Sequence, residues 1–181
     1  GMQLGGGINA DNARQWLDKG ASHVIVTSYV FQNGQIDMTR LKKLAKAVGR
    51  KRLVLDLSCR KRNKDYYIVT DRWQKYTEVA ISEGVLDELA QYCDEFLVHA
   101  ADVEGKCAGI ACDLVADLAR WTPIPTTYAG GIRDLHDLQL LKDIGKNRLD
   151  GTIGTGLDIF GGKNLTYDEA VAFCRESIKS D

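Results

Sequence analysis

The chain has 181 residues, 44% of them hydrophobic and 27% charged, with a net charge of −1 at neutral pH. That length and composition fit one globular domain with a real core, and exclude a partner chosen by charge alone, whether nucleic acid or an anionic membrane. No apolar stretch is long enough for a bilayer, no signal-peptide pattern opens the sequence, and Cys59, Cys93, Cys107, Cys112 and Cys174 match neither a zinc spacing nor a redox pair. Scattered, odd-numbered thiols suit a reducing, intracellular setting.

The first expected strand, Met2–Leu4, runs at once into Gly5-Gly6-Gly7, and a helical pattern introduced by Asp11 follows in NARQWL. His23–Thr27 is a second strand, ending in Thr27-Ser28. Asp37 then introduces a helix with Leu41, Leu44 and Val48 on one stripe and Gly49 at its end. Leu53–Leu57 is a third strand, bracketed by the basic runs GRKR at 49–52 and CRKRNK at 59–64. Those charges read as solvated loops or as help for an anionic ligand. Phe96–His99, Thr126–Ala129 and Leu149–Ile153 are the remaining strands. Helical patterns in SEGVLDELAQYC, IACDLVADLARW, DLHDLQLLKDIG and TYDEAVAFCRESI alternate with them, and Trp16, Leu17, Leu118 and Trp121 are expected in the core.

One strand and one helix, repeated six times, mean an α/β fold with a parallel sheet, either doubly wound or closing as a (β/α)8 TIM barrel. An internal repeat favours the barrel. GGGINADNARQWL returns as AGGIRDLHDLQLL, and each copy precedes a strand ending in hydroxyl or small residues, Thr27-Ser28 and Gly154-Thr155. Gly7 to Ser28 is 21 residues and Gly131 to Thr155 is 24. A ring of loops on one rim can hold two such sites facing each other; a doubly wound sheet has one crevice.

Gly5, Gly7 and Ala10 satisfy the formal dinucleotide spacing, but the next strand ends in Val26-Thr27-Ser28-Tyr29 where an acid should meet the ribose. A phosphate monoester fits better, held by glycine amides and the positive end of the following helix. Gly6, Gly7 and Ser28 would grip one phosphate and Gly130, Gly131, Gly154 and Thr155 another, the alternative being glycines that serve only tight turns. For chemistry, Asp56 stands out: a carboxyl flanked by Leu55 and Leu57 at a buried strand end, where burial favours the protonated form a general acid needs. Its alternative is a loop cap or a partner for Arg60. His99 ends the next strand, with Asp102 and Glu104 behind it; these contact substrate or are ordinary strand-end and loop groups. Trp73, in VTDRWQKY, stacks on a heterocycle or packs. His23 and His136 read as structural.

Taken together, QLGGGIN, ASHVIVTSYVF, LVLDLSCRK, TDRWQKY, EFLVHAADVEG, TYAGGI and GTGLDIFGG resemble, over essentially the whole chain, the eukaryotic branch of the phosphoribosylformimino-5-aminoimidazole carboxamide ribotide isomerase family of histidine biosynthesis. The resemblance implies a TIM barrel and an Amadori rearrangement of a phosphoribosyl aminoaldose to an aminoketose. It implies no cofactor and no metal, and a small substrate with a phosphate at each end; the charge and hydropathy add no nucleic acid and no membrane to that expectation. Asp56 matches the family's fifth-strand acid, and the two glycine clusters match its phosphate sites. Asn9 stands where many bacterial members have Arg, His99 where they have Thr, and Glu104 where they have Asp.

The glycines at 5–7 match the end of the family's third strand. Residues 1–181 are therefore expected to be a single domain covering about strands 3 to 8, the C-terminal three-quarters of the barrel. The family's first-strand aspartate, its base, lies outside this sequence. Two alternatives remain beside an active isomerase. One is an inactive phosphosugar-binding fragment that needs a second chain or self-associates through open strand edges. The other is the cyclase subunit of imidazole glycerol phosphate synthase, which HAADVEG and LDIFGG argue against. The expected location is cytoplasmic, or plastid if a transit peptide precedes the chain.

Overall fold

The computed structural model describes residues 1–103, 105 and 109–179. In chain order, β1 (Gln3–Gly5) leads through the glycines to α1 (Ala13–Asp18) and β2 (His23–Val26). A small hairpin, β3 (Phe31–Gln32) and β4 (Gln35–Ile36), precedes α2 (Met38–Val48), a 3-10 turn at Arg50–Arg52 and β5 (Leu53–Asp56). Three strands follow, β6 (Cys59–Arg62), β7 (Asp65–Thr70) and β8 (Lys75–Ala80), and then α3 (Glu83–Ala90). Next come β9 (Glu95–His99), α4 (Cys112–Trp121), β10 (Thr126–Ala129) and α5 (Leu135–Gly145). β11 (Asp150–Thr152), a 3-10 turn at Asp158–Phe160 and α6 (Tyr167–Lys179) come last.

Six strands form one all-parallel sheet in the order β1-β2-β5-β9-β10-β11. A doubly wound sheet reverses its strand order at one point; this one never does. It also curls. Gln3 and Glu95 lie on strands three spacings apart, about 14 Å in a flat sheet, yet Gln3 Nε2 donates to Glu95 Oε2 over 2.6 Å. Thr127 Oγ1, on β10, donates to the other oxygen of that carboxylate at 2.7 Å. The architecture is an α/β sheet forming part of a (β/α)8 barrel wall.

Strand alternation divides the side chains between two faces. Val24, Val26, Leu53, Leu55, Phe96, Val98 and Tyr128 join the core beneath the helices. Ile25, Asp56, Leu97 and His99 face the hollow instead. The helices close the outer layer in chain order, α1 against α2, α3 against α4, and α5 against α4 and α6. Leu118, on α4, is wholly buried. Leu118→Ala is expected to cost about 3 kcal/mol, from lost transfer energy plus a cavity, read as a lower midpoint in chemical denaturation.

Caps explain the helix starts. Asp37 accepts from the Arg40 N–H at 3.0 Å and Asp134 from the Asp137 N–H at 2.9 Å, while Ser82 opens α3. Thr166 and Glu169 form a reciprocal capping box at the start of α6. Asp11 does not cap α1, as its position had suggested. Asn12 is the residue before the helix, and the Asn9 carboxamide takes the N–H groups of Asp11 and Asn12. Of the expected core residues, Leu17 and Leu118 are buried, and Trp16 and Trp121 pack partly buried against them.

The six-fold alternation is interrupted. CRKRNK is no loop: residues 59–62 form β6, which pairs antiparallel with β7 and so begins a three-stranded excursion between β5 and α3. Its charged side chains can alternate with buried Cys59 because an antiparallel ribbon keeps one face in solvent. The last strand is also shorter than expected and exposed at all three residues, since β11 stands at the end of the sheet.

Candidate active site

Parallel pairing carries the C-terminal ends of all six strands to one rim. Asp56 ends β5 there, level with Leu97 on β9. Its side chain is 16% exposed. Ser58 Oγ donates to Asp56 Oδ1 at 2.8 Å, and His99 Nδ1 stands 3.3 Å from the same oxygen. Among the described residues nothing bonds to Oδ2, and Asp56 lines the hollow together with Gly6, Gly7, Ser28 and His99. Arg60, the alternative partner for Asp56, instead donates to Asp102 at 2.8 Å. Ser58 was not foreseen, although a residue two beyond Asp56 in an extended segment shares its face.

Trp73 reaches the same place from the tip of the excursion. Asp71, Arg72 and Trp73 are three successive residues with positive φ, 51°, 55° and 68°. Each costs roughly 1 kcal/mol or more for a residue with a side chain. The turn brings Trp73 within 6.2 Å of His99, centroid to centroid, with the rings tilted by 39°. Trp73 and Asp56 line one recess together with Thr27 and Ser28.

The glycine clusters occupy opposite ends of the strand series, and they are built differently. Gly6 and Gly7 have φ of 103° and 64°, and a Cβ on either would meet nothing within 4 Å. Gly130 and Gly131 also have positive φ, but a Cβ on Gly131 would lie 2.0 Å from the Gly109 carbonyl oxygen. Gly130, Gly131, Gly154 and Thr155 line one recess. Among the described residues, the amides of Gly6, Gly7, Gly131, Gly154 and Thr155 donate to no backbone acceptor. The helix amides expected to share in anion binding are partly committed elsewhere. Asp137 Oδ2 accepts from the Arg133 N–H at 3.1 Å, Asp134 caps α5, and Asn9 occupies the start of α1.

The structure thus brings Asp56, His99, Trp73, Ser28, Gly6 and Gly7 around one hollow and gathers Gly130, Gly131, Gly154 and Thr155 on the same rim. Glu104 lies outside the described residues. His23 pairs with Asp94 at 3.3 Å at the far end of the strands. Among the described residues Asp134, His136 and Asp137 gather ligand atoms, but Arg133 Nε lies 3.0 Å from Asp137 and both aspartates serve α5, so the cluster is spoken for. Burial pushes the Cys93 thiol up to about 12 and raises that of Cys59 as well, with Asp102 and Asp56 adding to the latter. Neither is a thiolate nucleophile at neutral pH.

Residues 1–155 match the family model described as "Histidine biosynthesis protein". A Medicago truncatula protein, named as chloroplastic 1-(5-phosphoribosyl)-5-((5-phosphoribosylamino)methylideneamino) imidazole-4-carboxamide isomerase, is 56% identical over 173 residues, covering 96% of this chain and 55% of its own. Proteins with the same isomerase name are 44% identical in Yarrowia lipolytica, over 94% of this chain and 67% of theirs, and 39% identical in Candida albicans, over 99% and 69%. The chain spans between about half and two thirds of the length of these relatives. With its strand order, its paired glycine turns and a match over most of its length, this chain belongs to the histidine biosynthesis protein family.

Proposed function

We propose that the protein catalyses the Amadori rearrangement of a doubly phosphorylated phosphoribosyl aminoaldose (ProFAR) to the aminoketose (PRFAR), with residues 1–181 acting as one domain. The observation that carries this reading is the carboxyl of Asp56, held by one oxygen and lining a hollow whose rim holds glycine turns at either end of the strand series. The names of the relatives agree with it.

Asp56 donates a proton from Oδ2 to the furanose ring oxygen. The C1–O bond opens as the nitrogen lone pair forms C=N, the C2 proton passes to the base that the resemblance assigns to the family's first strand, and return of a proton to C1 of the resulting enolamine leaves the ketone at C2. The rearrangement moves protons and no net electrons, so it calls for no nicotinamide. Ser58 and His99 hold Oδ1 and so fix which oxygen faces the ring. Gly6, Gly7 and Ser28 grip one phosphate, and Gly130, Gly131, Gly154 and Thr155 the other. Trp73 lies against the heterocycle.

Among the described residues no helix is long and apolar enough to cross a membrane. The compartment proposed is the cytoplasm or, as the Medicago relative's name says of that protein, the chloroplast.

The test is conversion of ProFAR to PRFAR by the natural full-length protein, followed by product chromatography, with inorganic phosphate as a competitor. Turnover slowed competitively by millimolar phosphate is the expected result. Binding of the substrate without turnover would leave a phosphosugar-binding barrel segment, and absence of binding would remove the reading altogether.

A further inference from the structure

The excursion β6–β8 carries Trp73 on a turn of three left-handed residues, so something must hold it against that strain. Two anchors leave its base. Arg60 Nε and the Lys61 N–H both donate to the Asp102 carboxylate, each at 2.8 Å. Tyr66 Oη, on β7, donates to Asp113 Oδ1 at 2.8 Å, and Lys61 Nζ bonds to Asp113 Oδ2. Asp113 stands in the first turn of α4, and that helix is a firm post. Leu114, Val115 and Leu118 bury its inner face, and the Ala111 N–H donates to Tyr128 Oη on β10 at 2.9 Å.

Both oxygens of Asp113 are therefore spent on the excursion, apart from one further bond to the Leu114 N–H. Burial alone would raise this carboxyl, but hydrogen bonds from Lys61, Tyr66 and Leu114, with the ammonium charge, outweigh it and hold the group below its ordinary range. A depressed carboxyl keeps its contribution at neutral pH and loses it only as pH falls through the lowered value. Tyr66 is 9% exposed as a residue, its ring buried and its hydroxyl meeting the half-exposed Asp113 carboxylate.

We infer that Asp113 is a positioning residue for Trp73: through Tyr66 and Lys61 it pins the excursion to α4, and the pinned excursion seats the tryptophan beside His99 and Asp56. A competing account makes Asp113 an ordinary first-turn acid that complements the helix dipole. The two differ at Tyr66, which touches the anchor and not the helix.

The experiment uses protein labelled with 5-fluorotryptophan, whose three 19F signals are assigned with Trp73→Phe, in the parent, Asp113→Ala, Asp113→Glu and Tyr66→Phe. Expected is a displaced or broadened Trp73 signal in Asp113→Ala and in Tyr66→Phe, unmoved Trp16 and Trp121 signals, and partial return in Asp113→Glu. A Trp73 signal that stays put in both Asp113→Ala and Tyr66→Phe overturns the inference, and so does one displaced in Asp113→Ala alone. The kinetic arm rests on the isomerase reading. There KM should rise about tenfold with kcat within about threefold, because stacking is lost while Asp56 stays on β5. Partial unfolding would instead lower kcat and leave KM alone, which would also overturn it. A parent protein without isomerisation would fail the isomerase reading only, the 19F arm still deciding the role of Asp113.

Discussion

Asp56→Asn in the natural full-length protein is expected to lower kcat for the rearrangement by about a thousandfold, the middle of the range for a lost general acid. The substitution is chosen so that little else changes. An Asn carboxamide oxygen still accepts from Ser58 Oγ and from His99, the two groups that hold Oδ1. The amide nitrogen then takes the place of Oδ2, the atom that no described residue engages, and it has no proton of carboxylic acidity to give. The helical circular dichroism and the thermal midpoint should stay near those of the parent, since the side chain lies on the hollow face rather than in the core. A fall of less than tenfold with the fold intact would take Asp56 out of the proton transfer. Leu57, two atoms of backbone away and wholly buried, is no control for this experiment, because it belongs to packing.

Gly131→Ala and Gly7→Ala should part company just as sharply, although both positions have positive φ, 78° and 64°. The methyl on Gly131 would sit 2.0 Å from the carbonyl oxygen and 2.9 Å from the carbonyl carbon of Gly109. Those are backbone atoms in a turn that is itself bonded to Gly131, whose carbonyl accepts from the Gly109 N–H at 3.2 Å. No rotamer change relieves the overlap. The expected cost is about 3 kcal/mol or more, which for a chain of this size lowers the thermal midpoint by about 6 to 12 °C. The methyl on Gly7 meets nothing within 4 Å, so only the backbone penalty of about 1 kcal/mol applies. Gly7 lines the hollow, and phosphate affinity should fall in a calorimetric titration while the midpoint drops by only about 2 to 4 °C. Equal midpoints for the two variants would contradict this account of how the cradles are built.

Much of this site is visible in the amino-acid string because parallel sheets impose a rule on it. Continuous apolar strands can expose polar chemistry only at their ends, so Asp56 after Val54-Leu55 and His99 after Leu97-Val98 announce a rim before any coordinates exist. The repeated Gly-Gly-Ile segments likewise announce two turns of positive φ on that rim. What escaped notice has equally physical causes. Cys59–Arg62 carries too many charges to look like a strand, because an antiparallel ribbon on the rim needs apolar residues on one side only. Asp11 looked like a cap because it is acidic and well placed, but Asn9 turns its carboxamide back on the chain and takes that job. Asp113 and Tyr66 are 47 residues apart, and no local pattern marks a hydrogen bond over such a separation.

The carboxylate of Glu95, joined to Gln3 on one side and Thr127 on the other, has a bearing on how the molecule can change. It sits at the first residue of β9, four positions before His99, which is about 13 Å along the strand. The arc of the wall is thus braced from underneath, like a bow held by its string, and not by the glycine turns on the opposite rim. Those turns can be lengthened, exchanged or set swinging while the gap between the two glycine clusters stays the same.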